Sequence, residues 1–171
     1  MDKIKKVLNL VSDIFGAVAM FFLLFLMFGI TADVFARALT GSPISGVFEM
    51  SELSLVMLVF LGAMWAQRDR AHIRVDILTK KLTGLPHRLV MTFAWGCGAV
   101  VLCILGWATT QEAIYSVSIW EFRWGHVQIP VWWTKIGVAL GLWAAAVQMA
   151  FTAVLALLGD DEVGREPLVE A

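Results

Sequence analysis

An all-α, polytopic membrane protein with four transmembrane helices is the fold this sequence predicts, and three observations predict it. Hydrophobic residues make up 60% of the 171 positions and charged ones only 16%, with a mean hydropathy of +0.80, a balance that soluble domains do not reach. Four long apolar runs follow one another with short polar segments between them, so one membrane domain covers 1–159 and an acidic tail covers 160–171. Lysine and arginine crowd alternate connections, as they do in chains oriented by the positive-inside rule.

The first span is expected at about 14–36. Ile14 to Ala32 is nineteen uncharged residues, about 28 Å of helix against a hydrocarbon core of roughly 30 Å. Lys3, Lys5 and Lys6 ahead of it, and Ala36-Arg37-Ala38 after it, imitate a secretion signal with its cleavage site. The apolar run is longer than a signal's, so it is read as a retained helix. Ile4, Val7, Leu8 and Val11 recur at helical spacing, which predicts an amphipathic lead-in over 2–13 lying on the membrane surface. Gly41, Ser42, Pro43 and Gly46 are turn residues that break the helix after Arg37.

The second span, about 49–66, organises the rest. Leu53 to Ala66 is fourteen uncharged residues, only about 21 Å of helix. To cross a bilayer it must draw in Glu52 and Glu49, two carboxylates three apart on one helix face. It stops at Gln67-Arg68-Asp69-Arg70, followed by His72-Ile73-Arg74-Val75-Asp76. Asp76 is placed to cap a short surface helix that ends at Gly84 and Pro86. The third span, about 88–110, contains the twenty-two uncharged residues Leu89 to Thr110; the fourth, about 131–158, contains the twenty-three from Ile136 to Leu158. The connection 111–130 is expected as an outer loop.

Charge gives the orientation. With the N-terminus cytoplasmic, that side collects ten of the thirteen Lys and Arg residues and the other keeps Arg37, Arg123 and Lys135, so both termini are expected in the cytoplasm. Trp65, Trp120, Trp124, Trp132 and Trp133 are expected as interfacial anchors. Gly137, Gly141 and Ala145 form a small-residue ridge on the fourth span, and Ala99, Cys103 and Gly106 one on the third. Phe21, Phe25 and Phe28 mark a surface for lipid or for a partner. Cys97 and Cys103 are six apart in one helix, about 9 Å of rise, too far for a mutual disulfide.

The chemistry of an enzyme is missing. No nucleophile with a base, no phosphate loop and no metal-ligand spacing is present, and no catalytic, substrate-binding, metal or cofactor residue is assigned. His72, His87 and His126 lie outside the uncharged runs, whereas a haem between membrane helices needs imidazole at depth. No acid or base stands in the middle of a span, and with no polar residue expected at the midplane there is no transport path within this chain. Polar content gathers at the rim: Asp33, Arg37, Glu49, Glu52 and Lys135 at the outer edge, His72, Arg74 and Asp76 at the inner one. Arg37, Glu49, Glu52, His72, Arg74 and Asp76 are the candidates for contact with another subunit or with lipid, the alternative being that they pair among themselves.

Arg37 after the first span, Glu52, Phe60-Leu61-Gly62-Ala63, the basic stop, the His72-Ile73-Arg74-Val75-Asp76 run and Pro130 before the last span together resemble the small membrane subunit of tripartite ATP-independent periplasmic (TRAP) transporters, the DctQ-like family. The resemblance covers most of the chain, and its most specific part is the second span with the run that follows. It implies a bacterial inner-membrane protein that braces a large elevator-type subunit, has no substrate site, binds no nucleic acid and depends on a periplasmic binding protein to deliver an organic acid, with sodium coupling. It implies phospholipid contacts as well. Family substrates include C4-dicarboxylates, sialic acid and sulfonates, and no residue here selects among them. Two alternatives are weighed beside it: a dimeric exporter like the small multidrug exporters, which requires an intramembrane acid, and a membrane anchor for a redox complex.

Overall fold

The computed structural model describes residues 2–68, 85–123, 125 and 127–158. Four helices account for most of them: α1 (Asp2–Thr40), α2 (Val47–Arg68), α3 (Leu85–Ser118) and α4 (Trp132–Leu158). Each is long and apolar enough to cross a membrane. The cluster His72, Arg74 and Asp76, and the short helix expected after Asp76, lie outside the described residues, as do Trp124 and the acidic tail.

Three boundaries differ from expectation for identifiable reasons. Residues 2–13 are the first turns of α1 rather than a separate surface helix: no glycine or proline interrupts them, and Arg68 of α2 bonds both Asp13 and the Asn9 carbonyl, holding this end along its neighbour. α2 has 22 residues, from Val47 to Arg68, about 33 Å, and so is not a short span once both glutamates are included. α3 runs on to Ser118, through the first eight residues of the stretch 111–130 expected as loop. Glu112 ends the uncharged run but not the helix, because a single glutamate is a good helix former. At the other boundary expectation and structure agree: α1 ends where Gly41, with φ 74°, takes the left-handed position and donates to the Arg37 carbonyl at 3.0 Å.

The helices lie side by side in the order α1, α2, α4, α3, each packing on the next. Antiparallel contacts join α1 to α2, where Gly16 meets Trp65 and Ala19 meets Gly62, and α3 to α4, where Gly98 meets Met149 and Gly106 meets Trp143. The central pair α2 and α4 is parallel, with Gly137 against Met57 and Gly141 against Phe60. The α1–α2 turn and the α3–α4 connection therefore share one end, the turn end, and the terminal ends of α1 and α4 share the other. This open layer explains the burial: 39% and 50% of the spanning windows of α2 and α4 are buried, against 11% and 17% for α1 and α3 at the edges.

The glycine ridge of α4 brings two backbones into contact. A Cβ added at Gly141 would overlap the Phe60 carbonyl, whereas one at Gly137 would meet only the end of the Met57 side chain. On α3 the contact face carries Trp95, Ala99 and Ala113, all buried. It leaves Cys103, expected on the ridge, exposed, because at 100° per residue that position lies about 80° from the middle of the face. Phe21 and Phe28 on α1 are both 65% exposed.

The seam yields a prediction. Gly141→Ala must move backbone and is expected to cost more than about 2 kcal/mol, while Gly137→Ala, which displaces a flexible methionine, is expected to cost under about 1 kcal/mol. Unfolding of the two variants in detergent checks the order; equal losses would mean the helices are not held at backbone contact.

Candidate functional site

The charged side chains of the turn end are organised by backbone. Asp33, in the penultimate turn of α1, accepts the Ile44 amide at 2.7 Å and the Arg37 guanidinium at 3.0 Å. One half-buried carboxylate thus ties the α1–α2 turn to the helix it leaves and steadies an arginine four residues on. The Arg37 side chain remains 62% exposed, with donors to spare.

The α3–α4 connection folds over this end as a narrow hairpin. α3 stops in a Schellman arrangement, with the Glu121 amide donating to the Ser116 carbonyl at 3.0 Å and the Trp120 amide to Val117 at 3.3 Å. The left-handed position that such a stop requires is held by Trp120, φ 49°, where glycine is the usual occupant. Phe122 and Pro130 then bridge, Arg123 N donates to the Ile129 carbonyl at 3.0 Å, and Val131 N to the Glu121 carbonyl at 2.9 Å.

Among the described residues the hairpin meets the α1–α2 turn, α2 and α4 at four points. Arg123 pairs with Glu52 at 2.6 Å, and Val127 packs on Gly46. Gly125 lies against the carboxylate of Glu49, where an added Cβ would stand 3.0 Å from Oε1; Glu49 itself is buried. Lys135 in the first turn of α4 donates to Glu121 at 2.6 Å and faces Glu112 at 3.5 Å. That bond holds the Glu121 carboxyl below its ordinary pKa. The hairpin partners, Glu112, Glu121 and Arg123, were not singled out in the sequence, since Arg123 meets Glu52 across 71 positions with no local signal.

The expected anchors divide. Trp120 is exposed and meets Trp132 edge to face at 6.2 Å. Trp133 stacks on Phe22 of α1 at 6.3 Å, and Trp65 packs over Gly16, so these two also join helices. Polar side chains also enter the α2–α4 seam at the end away from the turns: Gln148 of α4 is buried and on the register of Gly137 and Gly141 stands level with buried Gln67, the last residue but one of α2. Among the described residues the Gln67 amide and Gln148 Oε1 have no hydrogen-bond partner. An amide is uncharged, so an apolar run counted by charge passes over it.

Two grooves open between neighbouring helices. One, of about 530 Å³, lies between α1 and α2 and carries Asp33, Arg37 and Glu52 at its turn end. The other, of about 430 Å³, lies between α3 and α4 and is apolar except at Thr110, whose hydroxyl accepts the Trp143 indole N–H at 3.0 Å. Among the described residues no group of three or more His, Cys, Asp or Glu gathers to hold a metal ion.

The family model described as tripartite ATP-independent periplasmic transporters, DctQ component, matches residues 26–159, from the middle of α1 to the end of α4. No match was found among curated proteins.

Two outcomes are expected of the hairpin. Because Trp120→Gly and Trp120→Ala both remove the indole and differ only in backbone freedom, the glycine variant is expected to be the more stable by about 1 kcal/mol; thermal unfolding compares them. The second concerns acid. A carboxylate whose pKa is lowered on folding contributes stability that is complete above its unfolded value and disappears as pH falls through the folded one. Wild type is therefore expected to lose stability below roughly pH 4.5 more steeply than Glu121→Gln, a difference read from melting temperature against pH; identical slopes would remove the Lys135 bond from the account.

Proposed function

The chain belongs to the DctQ component family of the tripartite ATP-independent periplasmic transporters, and from that membership we propose that it is the static membrane brace of an organic-acid importer. It is a transporter component and a multi-pass membrane protein. The proposal concerns what it does there. The observation that carries it is the open layer: α1 and α3 offer long apolar sides that no other described residue covers, and the central pair is joined at backbone distance. A raft of this kind extends a larger subunit sideways in the membrane plane and resists tilt while another domain slides.

In this reading the chain sits in the bacterial inner membrane with both termini cytoplasmic, as the ten-to-three division of Lys and Arg favours. The turn end then faces the periplasm, on the side from which a binding protein delivers a carboxylate or sulfonate to the large subunit, with sodium as the coupling ion. Arg37, Glu49 and Glu52 fix the outer end of the brace. His72, Arg74 and Asp76 fix the inner end against the large subunit or a lipid phosphate.

Reconstitution tests this directly. The chain in liposomes is expected to move no solute, and uptake driven by a sodium gradient is expected only when a large membrane subunit and a periplasmic binding protein are added. Glu52→Gln and Arg74→Ala are expected to lower both co-purification with the large subunit and uptake, by about fivefold or more, on the order of 1 kcal/mol. Solute movement by the chain alone, or a C-terminal fusion that reports from the periplasm, would overturn the proposal.

A further inference from the structure

The groove between α1 and α2 has the dimensions and the polarity of half a bilayer. From Leu26 to Arg37 it follows eleven residues of α1, about 16 Å of rise, close to one leaflet of a hydrocarbon core of roughly 30 Å. Leu26, Ile30 and Leu55 line its deep part, and Asp33, Arg37 and Glu52 line its mouth. Leu26 lies near the middle of the apolar run of α1 and Arg37 at its end, so the change from apolar to charged occurs where hydrocarbon gives way to headgroups.

We propose that this groove binds one glycerophospholipid with a primary-ammonium headgroup, its acyl chain along Leu26, Ile30 and Leu55, its phosphate on Arg37 and its ammonium on Glu52. The proposal rests on the membrane placement given above, and three observations select the occupant. The first is shape. The cavity of about 530 Å³ is drawn out along about 16 Å of α1, so the groove suits a long, thin occupant such as an acyl chain.

The second is charge. Asp33, Glu52, Arg37 and Arg123 at this rim sum to zero, which gives no net attraction for an anionic lipid and offers separate poles to a zwitterionic one. The guanidinium of Arg37 spends one donor on Asp33 and leaves the rest of its fork to a phosphate. Glu52, whose side chain is 39% exposed and which holds Arg123 on one oxygen, presents a carboxylate at the mouth. A primary ammonium has three N–H donors for it, and a trimethylammonium has none. The third is access: Ile30, Val34, Phe48 and Leu55 are between 48% and 70% exposed, so the groove opens sideways into the membrane and a lipid enters without unfolding anything.

The test uses the full-length chain purified in mild detergent, stripped of lipid and titrated with phosphatidylethanolamine, phosphatidylcholine or phosphatidylglycerol of identical acyl chains, with bound lipid counted by native mass spectrometry. One phosphatidylethanolamine is expected to bind about tenfold more tightly than either of the others. Arg37→Ala is expected to weaken all three, Glu52→Gln to abolish the preference for ethanolamine over choline, and Ile30→Trp to exclude the acyl chain while helicity is kept, with Val34→Trp as the replacement if Ile30→Trp does not fold. Equal binding of the three lipids, unaffected by Arg37→Ala and Glu52→Gln, would overturn the assignment and leave a non-specific annulus. So would a photocrosslinker at position 30 that labels a protein partner instead of lipid in the assembled complex. A wild-type chain that binds none of the three lipids while the complex still assembles sinks this inference alone; a wild-type chain that binds lipid and assembles with nothing sinks the brace.

Discussion

Contact between backbone and backbone, at Gly141 of α4 and Phe60 of α2, is the constraint on which the rest of this layer depends. Apolar side chains gain little from one another in a membrane, since lipid is as apolar as they are, and helices associate there where small residues let many atoms touch. The α4 ridge supplies that surface and α2 meets it in parallel. Parallel neighbours cannot be joined by a short turn, so α3 is carried past α4 and packs on its far side. The order α1, α2, α4, α3 follows from one seam and the lengths of three connections.

A layer opened in this way has edges and no interior. Side chains of α1 and α3 that a closed bundle would bury are left at the surface, and what is buried lies in seams one side chain wide. The polar groups follow the same geometry. Along the seams they are amides and hydroxyls such as Gln148, Gln67 and Ser54, all buried; carboxylates and guanidiniums stay at the helix ends, where the hairpin and the α1–α2 turn organise them. An uncharged amide between two helices is tolerated in hydrocarbon at far lower cost than a charge.

Much of the fold was legible in the sequence because bilayer thickness converts residue counts into spans. Four runs gave four helices, Gly41 to Gly46 gave the turn, and Gly137-xxx-Gly141 gave the backbone contact. Boundaries were missed where charge was taken for helix termination. Glu112 interrupts a run of apolar letters, but one glutamate near the membrane surface does not break a helix. The site was less legible than the fold. Asp33 with Arg37 is a local pair and could be read four residues apart, whereas Glu52 with Arg123, Glu121 with Lys135 and Gly125 over Glu49 depend on a hairpin that folds back over two helices. Cys103 fell off its ridge for a simpler reason: three residues define a face only to within a side chain's width, and the true face was centred nearer Trp95 and Ala113.

Two central helices pointing the same way also add their peptide dipoles instead of cancelling them. The N-terminus of each carries roughly half a positive charge, and α2 and α4 place both at the end covered by the hairpin. Glu49 lies in the first turn of α2, and Glu121 is bonded to the first turn of α4 through Lys135. Carboxylate at that end is therefore matched to a field that the packing creates, even before any neighbour or headgroup arrives.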